Sequence, residues 1–323
     1  MEASAAESSA CDLSKQPPTE YLGARGSTRY VTSPRTGTSV CQYFWPAEGK
    51  ARAIVVIAHG HGGYLCFDWL KNQGPGKLCT YEGSFLQALN RAGFAVAGND
   101  HQGCGRSGGL RCYCDSFDDY VDDVLEVART CTSSGAPSFA AGLPLYLMGM
   151  SKGGCICLLA ALKEPSLISG VIALAPMVSL EKVAQSGINP YLRPLGQLLN
   201  WLVPKAPLLS TNRNTKFPDL QEMYDMDPNC YHSKTRVRSA QEYLRITQHL
   251  VAHQSQLALP LLLFHSEGDT QTDPEGTRRL FEAAQSADKT FVQPPGMWHI
   301  LMKEPGHEQI EQTVLEWLQK RTQ

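Results

Sequence analysis

The chain has 323 residues, enough to bury a large core, and its 29 basic and 31 acidic residues leave a formal net charge of -2. It has no basic run and no solenoid- or propeller-like repeat, which argues against nucleic acid as a partner and against a repeat architecture. No window reaches the ~18 consecutive apolar residues of a membrane span, and the eleven cysteines, an odd number with several in apolar segments, suit reduced cytosolic thiols better than a disulfide framework.

In chain order, residues 1–22 lack the charged and apolar regions of a signal peptide and carry Glu2 in place of a myristoylation glycine, so they read as a disordered tail. "STRYVTS" and "TSVCQYFWPA" then read as an antiparallel hairpin at a sheet edge. Six apolar runs follow: "AIVVIAHG", "FAVAGND", "LPLYLMGM", "GVIALAPM", "LPLLLFHS" and "KTFVQPPG". Near-continuous apolar strands are what a parallel sheet covered on both faces requires. Between them lie helical patterns, such as "SFDDYVDDVLEVARTC", whose apolar residues repeat at helical spacing. The alternation predicts an α/β fold with a mostly parallel, doubly wound sheet. Its core is expected from residues 23–177 and 259–323. Residues 178–258 are too long for a loop and poor in strand signals, so they are expected to form a helical cap. "RCYCD" holds a C-x-C spacing (Cys112, Cys114), expected to be a surface thiol pair and not a zinc site.

Ser151 stands at the centre of Gly149-Met150-Ser151-Lys152-Gly153, where an apolar strand turns straight into an apolar helix. That context holds a serine on a strained turn with its Oγ at the carboxyl edge of the sheet. Small neighbours are needed because side chains there would crowd the crossing. A serine hydroxyl requires a base, and the base requires a third group to orient it. Asp269 follows "LPLLLFHSEG" and His299 follows "KTFVQPPGMW", in the order serine, aspartate, histidine expected of α/β-hydrolases. Glu267 competes for the acid role, Asp273 before Pro274 suits a helix N-cap, and His265 falls within a strand, where a core or edge histidine is expected. "AHGHGGYL" has the form of an oxyanion loop, and the expected donors are the backbone N–H groups of His61 and Lys152.

Other signals point away from different chemistries. His59 with His61, and His249 with His253, have metal-ligating side chains, but Leu250 stands where a zinc protease has glutamate. "NDHQGCGRSGG" has neither dinucleotide nor P-loop spacing and reads as a scaffold loop. No metal and no cofactor is expected.

"IAHGHGGYL", "GNDHQGCGRSGG", "LMGMSKGG", "HSEGDTQTDP" and "PPGMWHILMKEP" together resemble the monoacylglycerol lipase and lysophospholipase branch of the serine α/β-hydrolases, over about residues 25 to 320. The resemblance implies Ser151, Asp269 and His299 as a triad, His61 and Lys152 as backbone oxyanion donors, and a cap admitting one acyl chain. Lys152 departs from the family's usual Met, Gln or His, and its cation is expected to serve an anionic head group or pair with a carboxylate behind the sheet. In the cap, Leu198, Trp201 and Leu202 lie on an apolar stretch read either as packing on the core or as an acyl pocket or lipid-contacting face. The expected activity is cytosolic hydrolysis of monoacylglycerols or related single-chain lipid esters, with transient membrane-surface contact through the cap. Alternatives are a lysophospholipase, a caffeoylshikimate-type esterase, an acyltransferase and a small-molecule sensor that barely turns over.

Overall fold

The computed structural model describes residues 19–133, 142–180, 185, 195–210 and 212–323. The expected edge hairpin forms β1 (Ser27–Thr32) and β2 (Ser39–Trp45), paired antiparallel. The apolar runs become β3 (Ala53–Ala58), β4 (Phe94–Asn99), β5 (Leu145–Met150) and β6 (Gly170–Leu174), with β9 (Leu261–Phe264) and β10 (Lys289–Val292) near the C-terminus. Between these groups, β7 (Pro207–Leu209) and β8 (Thr235–Arg236) make a small separate antiparallel ladder. The main sheet has eight strands in the order β1-β2-β4-β3-β5-β6-β9-β10. β2 runs against both its neighbours, while all pairs from β4 to β10 are parallel.

Every residue of β3, β4, β5 and β6 is buried, as two-sided cover demands. On one face pack the helices Asp118–Thr132, Lys152–Lys163 and part of Val237–His253, through Val124, Leu125, Leu158 and Ile246. The other face is covered by Phe85–Arg91 and His307–Arg321, through Leu86, Leu89, Val314 and Leu318. Each fully buried side chain of this size stabilises the fold by about 1.5–3 kcal/mol. β3 has β4 on one side and β5 on the other, so crossovers leave it in opposite directions. Such a switch point opens a crevice at the carboxyl ends of the strands, and loops from β3, β5, β9 and β10 all end there.

Three local expectations change. Most of the expected N-terminal tail lies outside the described residues, but Tyr21 and Leu22 are buried, and Trp45 Nε1 donates to the Leu22 carbonyl at 3.0 Å. A four-residue helix, Thr19–Leu22, is too short to show periodicity in sequence. Cys112 and Cys114 are not on the surface: both are buried, because the loop carrying them lies under the Val237–His253 helix, where Ser239 Oγ donates to the Cys112 carbonyl and accepts from Cys114 N. The 178–258 segment is helical in Gly196–Leu202, Pro218–Met226 and Val237–His253, with the β7–β8 ladder between them.

Asp100, buried at the end of β4, ties the scaffold loop together by accepting from Tyr43 Oη at 2.7 Å, Leu65 N at 2.9 Å and Arg106 N at 2.8 Å. Removing a donor to a buried carboxyl leaves its desolvation uncompensated. Tyr43→Phe is therefore expected to lower unfolding stability by about 1.5–3 kcal/mol, measured by urea denaturation; an unchanged midpoint would show that Asp100 does not depend on this bond.

Candidate active site

Ser151 has φ 56 and ψ -118, one of three non-glycine residues with positive φ among those described. The turn is forced because β5 ends at Met150 and the Lys152–Lys163 helix begins two residues later. Its backbone is fixed from both sides: Ser151 N donates to the Leu174 carbonyl at 2.9 Å, and its own carbonyl accepts from Met177 N at 3.0 Å. The flanking glycines are sterically required, since a Cβ on Gly149 would lie 2.3 Å from the Gly153 carbonyl oxygen and one on Gly153 would lie 2.3 Å from that of Ala58.

Asp269 lies just past β9 and His299 past β10, with His299 Nδ1 2.7 Å from Asp269 Oδ2. Asp269 is the hub of a larger cluster than sequence reading anticipates. Its Oδ2 also meets His265 Nε2 at 3.0 Å and accepts from Thr272 Oγ1 at 2.9 Å, while Oδ1 accepts from Gln271 N at 2.7 Å. Burial alone would raise its pKa, but the neighbouring His299 charge and the hydrogen bonds from His265 and His299 outweigh it and hold the carboxyl well below its usual range. For His299, burial disfavours the charged ring, yet Asp269, with Glu304 and Asp68 farther off, keeps its pKa above the ordinary imidazole value. His265 is a core histidine as expected, with Nδ1 2.7 Å from Thr277 Oγ1. Asp273 caps the Pro274–Ala283 helix by accepting from Glu275 N at 3.2 Å, and Glu267 is exposed.

Ser151 and His299 line one cavity of about 160 Å³, together with Gly60, His61, Phe67 and Asp68. His61 is brought to this cavity by the β3 loop, and Lys152 is the first residue of the helix, where a backbone N–H has no intrahelical acceptor. Buried Asp68 supports the loop by accepting from Gly60 N at 2.7 Å. Burial pushes its carboxyl up to about 6, against the pull of that N–H and of Lys303, Lys152 and His299. Sequence reading misses Asp68 because it lies in a short helix, Leu65–Trp69, with no motif around it.

The cap reaches the same loop. His61 Nδ1 lies 3.0 Å from Tyr243 Oη and its Nε2 3.1 Å from Thr235 Oγ1, while Tyr231 N donates to the Gly62 carbonyl at 2.7 Å. Burial, with the Lys152 charge, lowers the His61 pKa to about 3, so the ring bridges loop and cap in its neutral form.

One placement differs from expectation, and another narrows the alternatives. Lys152 is buried, its Nζ lies 4.4 Å from the Tyr120 ring centroid, and no hydrogen-bond partner for that Nζ occurs among the described residues. It does not line the cavity of Ser151, because the helix start turns its side chain inward onto an aromatic face. Leu198, Trp201 and Leu202 are 51%, 78% and 56% exposed and do not line the cavity holding Ser151. Gly196 is the buried side of their helix, with Gln241 of the Val237–His253 helix so close that a Cβ would lie 2.3 Å from its Nε2, and the apolar side faces outward.

Buried Glu304 holds the His299 turn by accepting from His299 N at 2.8 Å, Ile300 N at 2.7 Å and Trp298 N. Glu304→Gln places an amide donor against these N–H groups. It is expected to cost about 1.5–3 kcal/mol in urea denaturation and to shift the His299 ring resonances in NMR; unshifted resonances would mean the turn holds itself.

A family model, Hydrolase_4, described as serine aminopeptidase S33, matches residues 49–306. The chain is 28% identical over 271 residues to monoglyceride lipase of Rattus norvegicus, covering 82% of this chain and 80% of the relative. It is also 28% identical over 316 residues to caffeoylshikimate esterase of Arabidopsis thaliana, covering 94% and 90%. In fold it is similar to a soluble variant of monoglyceride lipase from Saccharomyces cerevisiae in complex with a substrate analog, with a TM-score of 0.74 at 21% identity over 95% of this chain and 98% of that one. Monoacylglycerol lipase of Paleococcus ferrophilus gives a TM-score of 0.69 at 24% identity, covering 86% and 98%.

Proposed function

Because the chain belongs to the serine aminopeptidase S33 family and is a carboxylic ester hydrolase on its monoacylglycerol lipase branch, we propose that it cleaves single-chain lipid esters, monoacylglycerols foremost, through an acyl-enzyme on Ser151. The observation that carries this reading is the shared cavity of Ser151 and His299, with His299 held to Asp269 at 2.7 Å. In this reading His299 takes the Ser151 proton as the hydroxyl attacks the ester carbonyl. The His61 and Lys152 amides receive the oxyanion, His299 protonates the leaving alcohol, and water then repeats the sequence on the acyl-enzyme. Asp269 fixes the Nδ1–H tautomer of His299, leaving Nε2 for the proton transfer.

The cavity lining supports a substrate with one polar and one apolar end. Asn212, Asn214 and Gln271 offer partners to a polyol head group, and Phe67, Leu220 and Ile300 offer apolar contact to an acyl chain. The outward Leu198, Trp201 and Leu202 suit transient contact with a lipid surface, with the protein otherwise cytosolic. No helix among the described residues is long and apolar enough to cross a membrane. The second reading, an ester of a hydroxycinnamic acid, is favoured by the Arabidopsis relative, which aligns over more of the chain than the rat lipase does.

Hydrolysis of a long-chain monoacylglycerol, a lysophosphatidylcholine, a hydroxycinnamoyl ester and a short p-nitrophenyl ester, with Ser151→Ala as control, separates these readings. We expect the variant to be inactive and the monoacylglycerol preferred; equal inertness of wild type and variant would favour a sensor, and acyl transfer to added glycerol would reveal an acyltransferase. Since His299 acts as a base only when neutral, kcat/KM should rise as pH climbs through its raised pKa. Asp269→Asn removes the charge that raises it, so the midpoint should move to lower pH and kcat fall by on the order of 10³–10⁴. A midpoint that stays put would remove Asp269 from its assigned role. Replacing Leu198 and Leu202 by Ser should weaken sedimentation with phosphatidylcholine vesicles and slow long-chain esters more than the short one; equal slowing of both would assign those leucines to folding alone.

A further inference from the structure

Cys104 and Cys112 stand eight residues apart in the loop between β4 and the Asp118–Thr132 helix, yet they pack together with Tyr231 in one buried cluster. The backbone brings their stretches side by side: Cys112 N donates at 3.0 Å to the carbonyl of Gly103, the residue before Cys104. Cys112 also has φ 50, a conformation that L side chains rarely adopt, so a cysteine here is held against its backbone preference. The Lys152 ammonium, buried and with no hydrogen-bond partner among the described residues, lies within electrostatic reach of both sulfurs. A nearby cation favours the thiolate.

We propose that Cys104 and Cys112 form a redox-active dithiol that a small hydroperoxide closes to a disulfide, loosening the oxyanion loop and slowing hydrolysis. Cys112 thiolate attacks the peroxide oxygen, the O–O bond breaks, and a sulfenic acid forms at Cys112 with release of water or alcohol. Cys104 then attacks the sulfenic sulfur, the S–S bond forms, the S–O bond breaks and a second water leaves. The two thiols lose two electrons to the peroxide. The oxidant's path is short, because Tyr231 packs on both thiols and also lines the cavity of Ser151. The effect on catalysis follows from Tyr231: it packs with both cysteines, and its N donates at 2.7 Å to the carbonyl of Gly62, the neighbour of His61. Closing the S–S bond draws the two cysteines together beneath Tyr231, and the loop that Tyr231 holds loses its fixed donor geometry.

The test treats the full-length protein with hydrogen peroxide, blocks the remaining thiols and maps tryptic peptides by mass spectrometry. We expect the peptide 92–106 joined to 112–129, with fragmentation placing the bridge on Cys112 and not on Cys114. Hydrolysis should lose on the order of tenfold in kcat with little change in KM, reversed by dithiothreitol. Cys104→Ser, and Cys104→Ala as a second variant, should keep the reduced activity and abolish the reversible loss. No cross-link at doses that inactivate the enzyme, or equal sensitivity of the Cys104 variants, would overturn the proposal. The cross-link is read independently of turnover, so its outcome stands apart from the substrate reading above.

Discussion

The backbone at Ser151 is the constraint on which the rest of the site depends. A residue with φ 56 and ψ -118 must be held in place by its surroundings, and here the bonds to Leu174 and Met177 supply that hold. The crossing is so tight that Gly149 and Gly153 touch neighbouring backbone directly. A parallel sheet buried on both faces is rigid enough to sustain this strain, and it places the turn at the open carboxyl edge where loops from four strands converge.

Around that turn, charge is organised by burial. Asp269 gathers two histidines, a threonine hydroxyl and backbone N–H groups, so its negative charge is compensated inside the protein. Glu304 and Asp68 do comparable work on the backbone, one fixing the turn of His299 and the other the loop of Gly60. Three buried acids thus set the geometry of the loops after β3, β9 and β10.

The 178–258 segment is bonded to the loop after β3. His61, Gly62 and Tyr64 each bond to cap residues, the last through Tyr64 Oη donating to Asp227 at 2.9 Å. The cysteine loop lies between the two, bonded to Ser239 and, through Arg236 Nε to the Arg111 carbonyl, to the start of the longest cap helix.

The strand runs, the edge hairpin and the main helices were legible because two-sided burial writes continuous apolar strands and one-sided burial writes helical spacing. Ser151, Asp269 and His299 were legible as candidates for a related reason: each sits just past an apolar run, where only a loop position at the sheet edge is available. Asp68, Glu304, the second histidine on Asp269 and the inward Lys152 carry no such local signature. Three of these contacts are short in sequence, Gly60 to Asp68, His265 to Asp269 and His299 to Glu304, but they depend on loop turns and burial that residue spacing does not announce, and Lys152 meets Tyr120 of another helix. The exposed face of the Gly196–Leu202 helix was undecidable for the same reason, since an apolar stripe shows that a helix has a face but not what lies against it. The sequence by itself determined the fold and the candidate residues at the strand ends, because periodicity and turn chemistry act locally. Only the tertiary structure decided which buried charges meet and which apolar surface stays open, because burial is a property of the packed chain.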